Sequence, residues 1–175
     1  DEFNPQTDAT SFRIAMADAT AAAFMPTLVG SIEKDRALVD LRILPLTTRD
    51  PRPVLERGDA DVAIGSFPEA LSELRALGQD AAFHHERLGQ SDYVCVMRQG
   101  HPLAKGTLSL DDYCAAHHLL VSFSGRAHGL ADQALAALNR KRRIVLTVNQ
   151  YFTAGRVVAN SNLLTVLPAF FVEST

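Results

Sequence analysis

The 175-residue sequence has no hydrophobic run long enough to cross a membrane. Its longest apolar runs have five residues, as at residues 21–25, whereas a transmembrane helix needs about 18 consecutive apolar residues. A secretory signal is also missing, because residues 1–5 are acidic and polar and no basic region comes before an apolar one. We therefore expect no contact with a membrane and a cytoplasmic location.

An excess of basic residues is also missing. The chain has 17 Lys and Arg against 20 Asp and Glu, which gives a net charge of −3. Because nucleic-acid binding relies on a basic face, this balance argues against a nucleic-acid groove on this chain. The one basic run, residues 140–143, ends a predicted helix. We interpret it as a solvated helix end whose cations complement the helix dipole.

Cysteine is scarce, which excludes a disulfide framework. Cys95 falls in residues 93–97, which have the pattern of a buried strand, and Cys114 falls in a helical pattern. We expect both thiols to be reduced and structural. The histidine pairs at 84–85 and 117–118 are adjacent, so their side chains point in different directions. No glycine-rich phosphate motif is present. We expect no metal and no cofactor.

Hydrophobic periodicity predicts an α/β fold with β-α-β-α-β order in the first eighty residues and a second βα section after them. Strands are predicted at 12–17, 39–46, 61–65, 92–98, 119–123, 144–148 and 163–168. Helices are predicted from the N-cap signal at 18–20 to residue 35, at 54–57, from the cap Ser109 onward, at 130–140 and at 152–160. Pro26 is expected to kink or restart the first helix. The pattern divides the chain into two lobes, 1–81 and 82–175, and such lobes bind ligands in a cleft at the carboxyl ends of their strands.

Several segments, in this order over about residues 11–172, resemble the effector-binding domain of LysR-type transcriptional regulators. The segments are Phe12–Asp18, Val54–Gly65, Tyr93–Val96 with His101–Ala104, and Val157–Pro168. Within that family, Phe24-Met25-Pro26, Asp92–Cys95 and His128-Gly129 with Asp132 are most similar to the branch of nodulation and aromatic-degradation regulators.

The resemblance implies two Rossmann-like lobes with a cleft between them, similar to type II periplasmic binding proteins. It also implies an N-terminal winged helix-turn-helix and a C-terminal segment that returns to the first lobe, and the sequence matches neither. The implied partners are a small-molecule effector and a second copy of the chain, in a homodimer or homotetramer. The implied dimer pairs the helix near 22–34 with a partner's helix near 130–141. DNA would be contacted only through the absent helix-turn-helix.

Candidate effector-binding residues of the first lobe follow its three predicted strands. Asp18 and Thr20 lie at a helix start, where backbone amides attract anions, although they also fit a simple helix cap. The hydroxyls of Thr47 and Thr48 follow the second strand, where a solvated turn is the alternative. After the third strand, Gly65 allows close backbone approach and Phe67 could form a pocket wall, or the two form a turn with a core aromatic.

Candidates of the second lobe follow its parallel strands. Ser122, Ser124 and His128 lie in a glycine-bearing loop before a helix, and Tyr151 and Phe152 follow the next strand. The resemblance makes His128 a cleft histidine, although a lone histidine is more often a polar loop residue. The related branch often has a histidine where Tyr151 stands. Asn149 precedes these two residues and is a further candidate to face the loop.

The function predicted from these features is the sensing of a small organic molecule, of aromatic-acid type, by a transcription regulator. The alternative is an exported solute-binding protein of a transporter. A hydrolase using Ser124, His128 and Asp132 is not favoured, because Gly125 and Gly129 interrupt the helical spacing. A Gly-x-Ser-x-Gly motif is also missing. We therefore expect no enzymatic activity.

Overall fold

Two compact units make up the chain in the computed structural model, which describes residues 2–175. Unit 1 is Asp1–Gln90 and unit 2 is Ser91–Thr175. Residues 81–92, which include the end of unit 1, are neither helix nor strand. The lobe boundary at residues 81/82 stays a prediction.

In the described part of unit 1, strands alternate with helices, in the predicted order. The elements are β1 (Thr10–Met16), α1 (Asp18–Asp35), β2 (Val39–Pro45), α2 (Arg52–Glu56), β3 (Val62–Ile64) and α3 (Pro68–Leu77), followed by a 3₁₀ turn at Gly78–Asp80. Helix α3 is not among the helices predicted from the sequence. Its signals are a proline in the first turn and the buried residues Ala70 and Leu74, which are spaced four apart.

The unit 1 sheet is parallel, with strand order β2-β1-β3. Met16, the last residue of β1, lies opposite both Pro45 and Ile64, which end the other two strands. The carboxyl ends of all three strands therefore lie at one edge of the sheet. The buried core next to this edge is formed by Ala15, Leu46 and Ala60, with partly buried apolar side chains around them.

The start of α1 differs from the prediction. Asp18 is the first residue of the helix. Ala17 occupies the N-cap position with extended backbone angles, and its side chain makes no capping hydrogen bond. The prediction of a cap at Asp18–Thr20 is therefore wrong, and the Asp18 carboxylate lies in the first turn, where it suits the helix dipole. Pro26 lies inside the helix, which runs without a break to Asp35.

In unit 2 the described elements again alternate. They are β4 (Tyr93–Val96), a 3₁₀ turn at Pro102–Ala104, α4 (Leu110–Ala115), β5 (His117–Val121), α5 (Leu130–Ala137), β6 (Arg143–Val148), α6 (Tyr151–Ala159), β7 (Thr165–Pro168) and α7 (Ala169–Ser174). Ser109 caps α4 as predicted, because its hydroxyl accepts from the Asp112 amide and donates to the Asp112 carboxylate.

The unit 2 strands form a parallel pair, β5 with β6, and an antiparallel pair, β4 with β7. Backbone hydrogen bonds join the two pairs: the Leu119 amide donates to the Leu164 carbonyl at 2.8 Å, and the Leu164 amide donates to the His117 carbonyl at 2.9 Å. The largest fully buried side chains among the described residues lie around this junction. They are Leu119, Leu164, Leu167, His118, Val158 and Thr165.

Two sequence interpretations need correction in unit 2. Cys95 is exposed rather than buried, and the exposed residues of β4, Tyr93 and Cys95, alternate with the half-buried Val94 and Val96. Strand β5 begins two residues earlier than predicted and ends at Val121. Ser122 and Phe123 therefore belong to the loop that follows β5. This loop, Ser122–Gly129, is called the β5–α5 loop below.

Candidate functional site

The edge of unit 1 carries the predicted first-lobe residues, since all follow the three strand ends. Thr48 is used locally, because its hydroxyl donates to the Asp50 carbonyl at 2.9 Å and accepts from the Asp50 amide at 3.1 Å. Thr47 is exposed, and Thr20 is half-buried in the first turn of α1. The topology thus brings the hydroxyls of these three threonines to the same edge of one sheet.

Gly65 and Phe67 serve the packing at this edge. A Cβ atom on Gly65 would lie 2.9 Å from the Phe67 ring and 3.2 Å from Leu46, so a larger residue would push the ring away. The ring itself packs against the buried core cluster. The half-buried Phe67 ring thus fits the alternative given for it above, an aromatic side chain that packs against the core after a turn.

The edge of unit 2 holds a pocket of about 430 Å³ at the carboxyl ends of β5 and β6. Val121 and Val148 lie opposite each other where these parallel strands end, so the segments that follow them form the pocket walls. The lining residues are all uncharged: Ser122, Phe123, Gly125, Thr147, Val148, Asn149 and Thr153. Hydroxyl and amide groups therefore surround a space with one aromatic ring at its side.

The predicted second-lobe residues are spread over three environments. Ser122 lines the pocket, and Ser124 and His128 are exposed on the β5–α5 loop outside its lining. Tyr151 is buried, and its ring lies edge-on to Phe123 with the ring centroids 5.4 Å apart. Its hydroxyl lies 3.4 Å from the Tyr93 hydroxyl. Phe152 packs edge-on against Phe171 at 4.8 Å.

Two hydroxyl-bearing residues of the pocket, Thr147 and Thr153, are missing from the predicted site, as is the apolar Val148. Thr147 precedes the last residue of β6, and Thr153 lies in the first turn of α6, where its hydroxyl donates to the Gln150 side chain at 3.1 Å. The rule that site residues follow strand ends selects Ser122 and Asn149. It passes over the strand residue before the end and the helical turn after it.

A buried ion pair in unit 2 corrects the interpretation of the basic run. The Arg142 guanidinium donates to both carboxylate oxygens of Asp132, at 2.8 and 3.0 Å. The two side chains are only 2% and 9% exposed. Arg142 is therefore not part of a solvated helix end. Burial alone would raise the pKa of Asp132, but the hydrogen bonds from Arg142 and from the Gly129 amide hold that pKa below its ordinary value.

His118 is fully buried beside this ion pair. Its Nε2–H donates to the Tyr113 carbonyl at 2.7 Å, and its Nδ1 faces the Arg142 guanidinium at 3.4 Å. Because the carbonyl can only accept, the proton of the neutral ring lies on Nε2. Burial lowers the pKa of His118, and the charge of Arg142 lowers it further, against the opposing effect of the Tyr113 carbonyl.

This lowered pKa predicts a loss of stability in mild acid. The unfolded chain binds a proton at His118 below about pH 6.5, and the folded chain binds it only at lower pH. The contribution of His118 is therefore complete above pH 6.5 and is lost as the pH falls from there towards the folded pKa. We expect the loss of this contribution to lower the free energy of unfolding by at most about 2 kcal/mol between pH 7 and pH 5.

Denaturant unfolding at both pH values measures this effect. His118→Gln should remove that part of the pH dependence, whereas His117→Gln should keep it, because His117 is the exposed neighbour on the same strand. An equal pH dependence in the His118→Gln variant and the unaltered chain would contradict the prediction.

Two further observations on the described residues concern metal-binding groups and membrane-spanning helices. Among residues 2–175, no three His, Cys, Asp or Glu side chains are grouped so that they could hold a metal ion. No helix in that range is both long enough and apolar enough to span a bilayer.

The profile of the LysR substrate binding domain matches residues 5–175. The chain belongs to this family. It is 28% identical over 171 residues to the HTH-type transcriptional activator NagR of a Ralstonia species, covering 98% of this chain and 54% of that protein. It is 26% identical over 168 residues to the HTH-type transcriptional activator NahR of Pseudomonas putida, with 96% and 53% covered. The LysR-family chain thus spans about half the length of these relatives.

Solved structures show the same fold. A probable transcriptional regulator from Pseudomonas aeruginosa superimposes with a TM-score of 0.79 at 24% identity, covering 99% of this chain and 56% of that one. The effector-binding domain of QuiR in complex with shikimate gives 0.69 at 19% identity, with 93% and 76% covered. The BenM effector-binding domain with benzoate gives 0.62 at 14% identity, with 95% and 72% covered. The fold is the α/β fold of LysR effector-binding domains, which is similar to that of type II periplasmic binding proteins.

Proposed function

We propose that this LysR-family chain is the effector-sensing domain of a transcription regulator and that its effector is a small organic acid with a ring. The observation that carries the proposal is the uncharged pocket at the carboxyl ends of β5 and β6. Ligands of α/β folds bind at this end of the strands. A sensor of this kind catalyses no reaction, and it acts in the cytoplasm, where the DNA is.

The chemistry of the pocket favours an acid. Ser122 and Thr147 offer hydroxyl donors, and the Asn149 amide offers two more N–H groups. Thr153 lies in the first turn of α6, and the amino end of a helix attracts anions. The Phe123 ring gives the same pocket an apolar side on which a flat ring can pack. Shikimate and benzoate, the acids bound to QuiR and BenM, have this combination of a carboxylate and a ring.

Unit 1 supports the proposal through its own edge, where the hydroxyls of Thr20, Thr47 and Thr48 and the start of α1 follow the strand ends. The other predicted effector residues, Asp18, Gly65, Phe67, Ser124, His128, Tyr151 and Phe152, stay predictions. The cleft expected between the two lobes also stays a prediction.

Binding by a benzoate-like acid should raise the melting temperature of the chain. A ligand at about 100 times its dissociation constant stabilises the folded state by about 2.7 kcal/mol. For a chain of this size that corresponds to roughly 5–10 °C. Thermal melting with benzoate, shikimate and an acyclic acid such as succinate tests the proposal. We expect a shift with a ring acid and none with succinate.

Variants locate the binding site. Asn149→Ala should reduce the shift strongly because it removes two donors from the pocket wall, and His128→Ala tests the predicted cleft histidine. His117→Ala is the matched control, since it is an exposed histidine at the opposite end of β5. No shift with either ring acid, or an equal shift in the Asn149→Ala variant, would contradict the proposed function.

We also propose that the regulator is a homodimer or homotetramer and that it contacts DNA through a domain outside this chain. Exposed apolar side chains on the two helices named for the dimer support the first part. Phe24, Leu28 and Val29 lie exposed on α1, and Leu130 lies exposed at the start of α5. Apolar side chains grouped on an exposed helix surface are typical of protein–protein contacts.

A further inference from the structure

The β5–α5 loop is attached to the body of unit 2 at both ends. At its beginning, the Ser122 amide donates to the Val148 carbonyl at 2.8 Å. At its end, Gly129 is buried so closely that a Cβ atom there would lie 2.9 Å from the Leu120 side chain. The Gly129 amide donates to the Asp132 carboxylate at 2.7 Å. The five residues between Phe123 and Gly129 are exposed.

Asp132 is itself held in place by Arg142. The guanidinium makes two hydrogen bonds to the carboxylate and a third, at 2.9 Å, to the Tyr113 hydroxyl. It also lies 5.9 Å from the centre of the Tyr113 ring. Arg142, which is itself held by Tyr113, therefore fixes the carboxylate that holds the end of the loop. Hydrogen bonds between charged groups are stronger than those between neutral ones.

We propose that Asp132 and Arg142 are positioning residues of the effector site, acting through Gly129 on the conformation of the β5–α5 loop. This proposal rests on the proposed function, because Ser122, Phe123 and Gly125 of the loop line the pocket. A loop with few buried contacts opens easily unless something holds it. A pocket wall that is already ordered spares the ligand the entropy cost of ordering it.

A merely structural role predicts a different result, and a double replacement separates the two. Asp132→Leu with Arg142→Met exchanges the buried pair for apolar side chains of similar size, a change that often leaves stability intact. It also removes the acceptor of the Gly129 amide. The matched control is Asp111→Leu with Arg140→Met, which removes a neighbouring ion pair from the surface, where Asp111 is 85% exposed.

Amide hydrogen exchange of the full chain, without ligand, gives the first measurement. In the double variant we expect exchange to become about tenfold faster at the Gly129 amide and at the Gly125 amide, which donates to the Ser122 carbonyl; this is the change expected when one charge-assisted hydrogen bond is lost. The midpoint of urea unfolding should stay close to that of the unaltered chain. The control pair should leave loop exchange unchanged.

The affinity for benzoate and for shikimate gives the second measurement. We expect the double variant to bind the ring acid at least about tenfold more weakly, because the acid must then order the loop. If the double variant does not fold, Arg142→Lys replaces it, since lysine keeps the buried charge but loses the two-pronged contact with Asp132. In that variant, loop exchange should rise severalfold.

The outcomes separate the two proposals. Failure of both acids to bind the unaltered chain counts against the proposed function, and the exchange measurement still decides the positioning role. Loop exchange equal to that of the unaltered chain, in a folded double variant or in Arg142→Lys, would overturn the positioning role alone.

Discussion

Replacing Arg142 by glutamine is expected to lower the free energy of unfolding by about 3–5 kcal/mol. The change leaves the Asp132 carboxylate buried without its cation, and the desolvation of that charge is then uncompensated. The Tyr113 hydroxyl loses a donor as well. Amide hydrogen exchange in β5 and β6, recorded at increasing denaturant concentration, measures the loss of stability within unit 2.

The control for this prediction is Arg140→Gln, two residues earlier in the same basic run. Arg140 pairs with the exposed Asp111, and exposed pairs of this kind contribute little. The loss should therefore be much smaller than at Arg142. Equal losses in the two variants would show that the burial of Arg142 has no energetic consequence.

Leu164→Ala should cost about 2–5 kcal/mol, the range observed when a large core side chain is removed. Leu164 is fully buried where the two strand pairs of unit 2 meet, and its backbone bonds to both Leu119 and His117. A cavity at this point loses packing contacts that the hydrogen-bonded strands prevent from closing up. The same unfolding experiment measures the effect.

Leu138→Ala provides the comparison, because Leu138 follows α5 and is 60% exposed. Surface substitutions of this kind usually change stability by less than about 0.5 kcal/mol. If the two leucine variants lost similar amounts, the packing described for the centre of unit 2 would be incorrect.

The regular elements could be predicted where periodicity is local. The alternating residues of β1 and β2 and the helical spacing of α5 identify their elements from the sequence. The resemblance to the LysR family is confirmed, because the family model matches residues 5–175. The beginning of strand β5 was harder to predict, because two adjacent histidines are not typical of the start of a buried strand. Only the folded structure provides the Tyr113 carbonyl that allows His118 to be buried.

The basic run shows why burial of a charge cannot be judged from local sequence. Residues 140–143 are all cationic. Arg142 is nevertheless buried in an ion pair with Asp132, ten residues earlier, whereas the partner of Arg140 is exposed. A run of charges usually lies in solvent, so the local pattern favoured the wrong interpretation. What reverses it is a tertiary partner, and the spacing of charges along one segment does not reveal such a partner.

Part of the lining of the unit 2 pocket could be predicted from the sequence. The rule that ligands bind after parallel strands led to Ser122 and Asn149, which the structure places in one pocket. It also selected Tyr151, whose place in an aromatic cluster with Phe123 and Phe171 depends on α7 packing from the far end of the chain. The contribution of α6 through Thr153 depends on how that helix is set against the strands.

The attachment of the β5–α5 loop at its two ends has a consequence for how such a sensor can change over evolutionary time. Ser124, Arg126, Ala127 and His128 are exposed, so side chains there can be exchanged with little effect on folding, whereas Gly125 has a positive φ of 70° that strains any side chain. Gly129, by contrast, tolerates no side chain without displacing Leu120. Substitutions at the exposed positions between the attachment points can therefore accumulate at little cost in stability, whereas the attachment at Gly129 constrains the backbone that carries them.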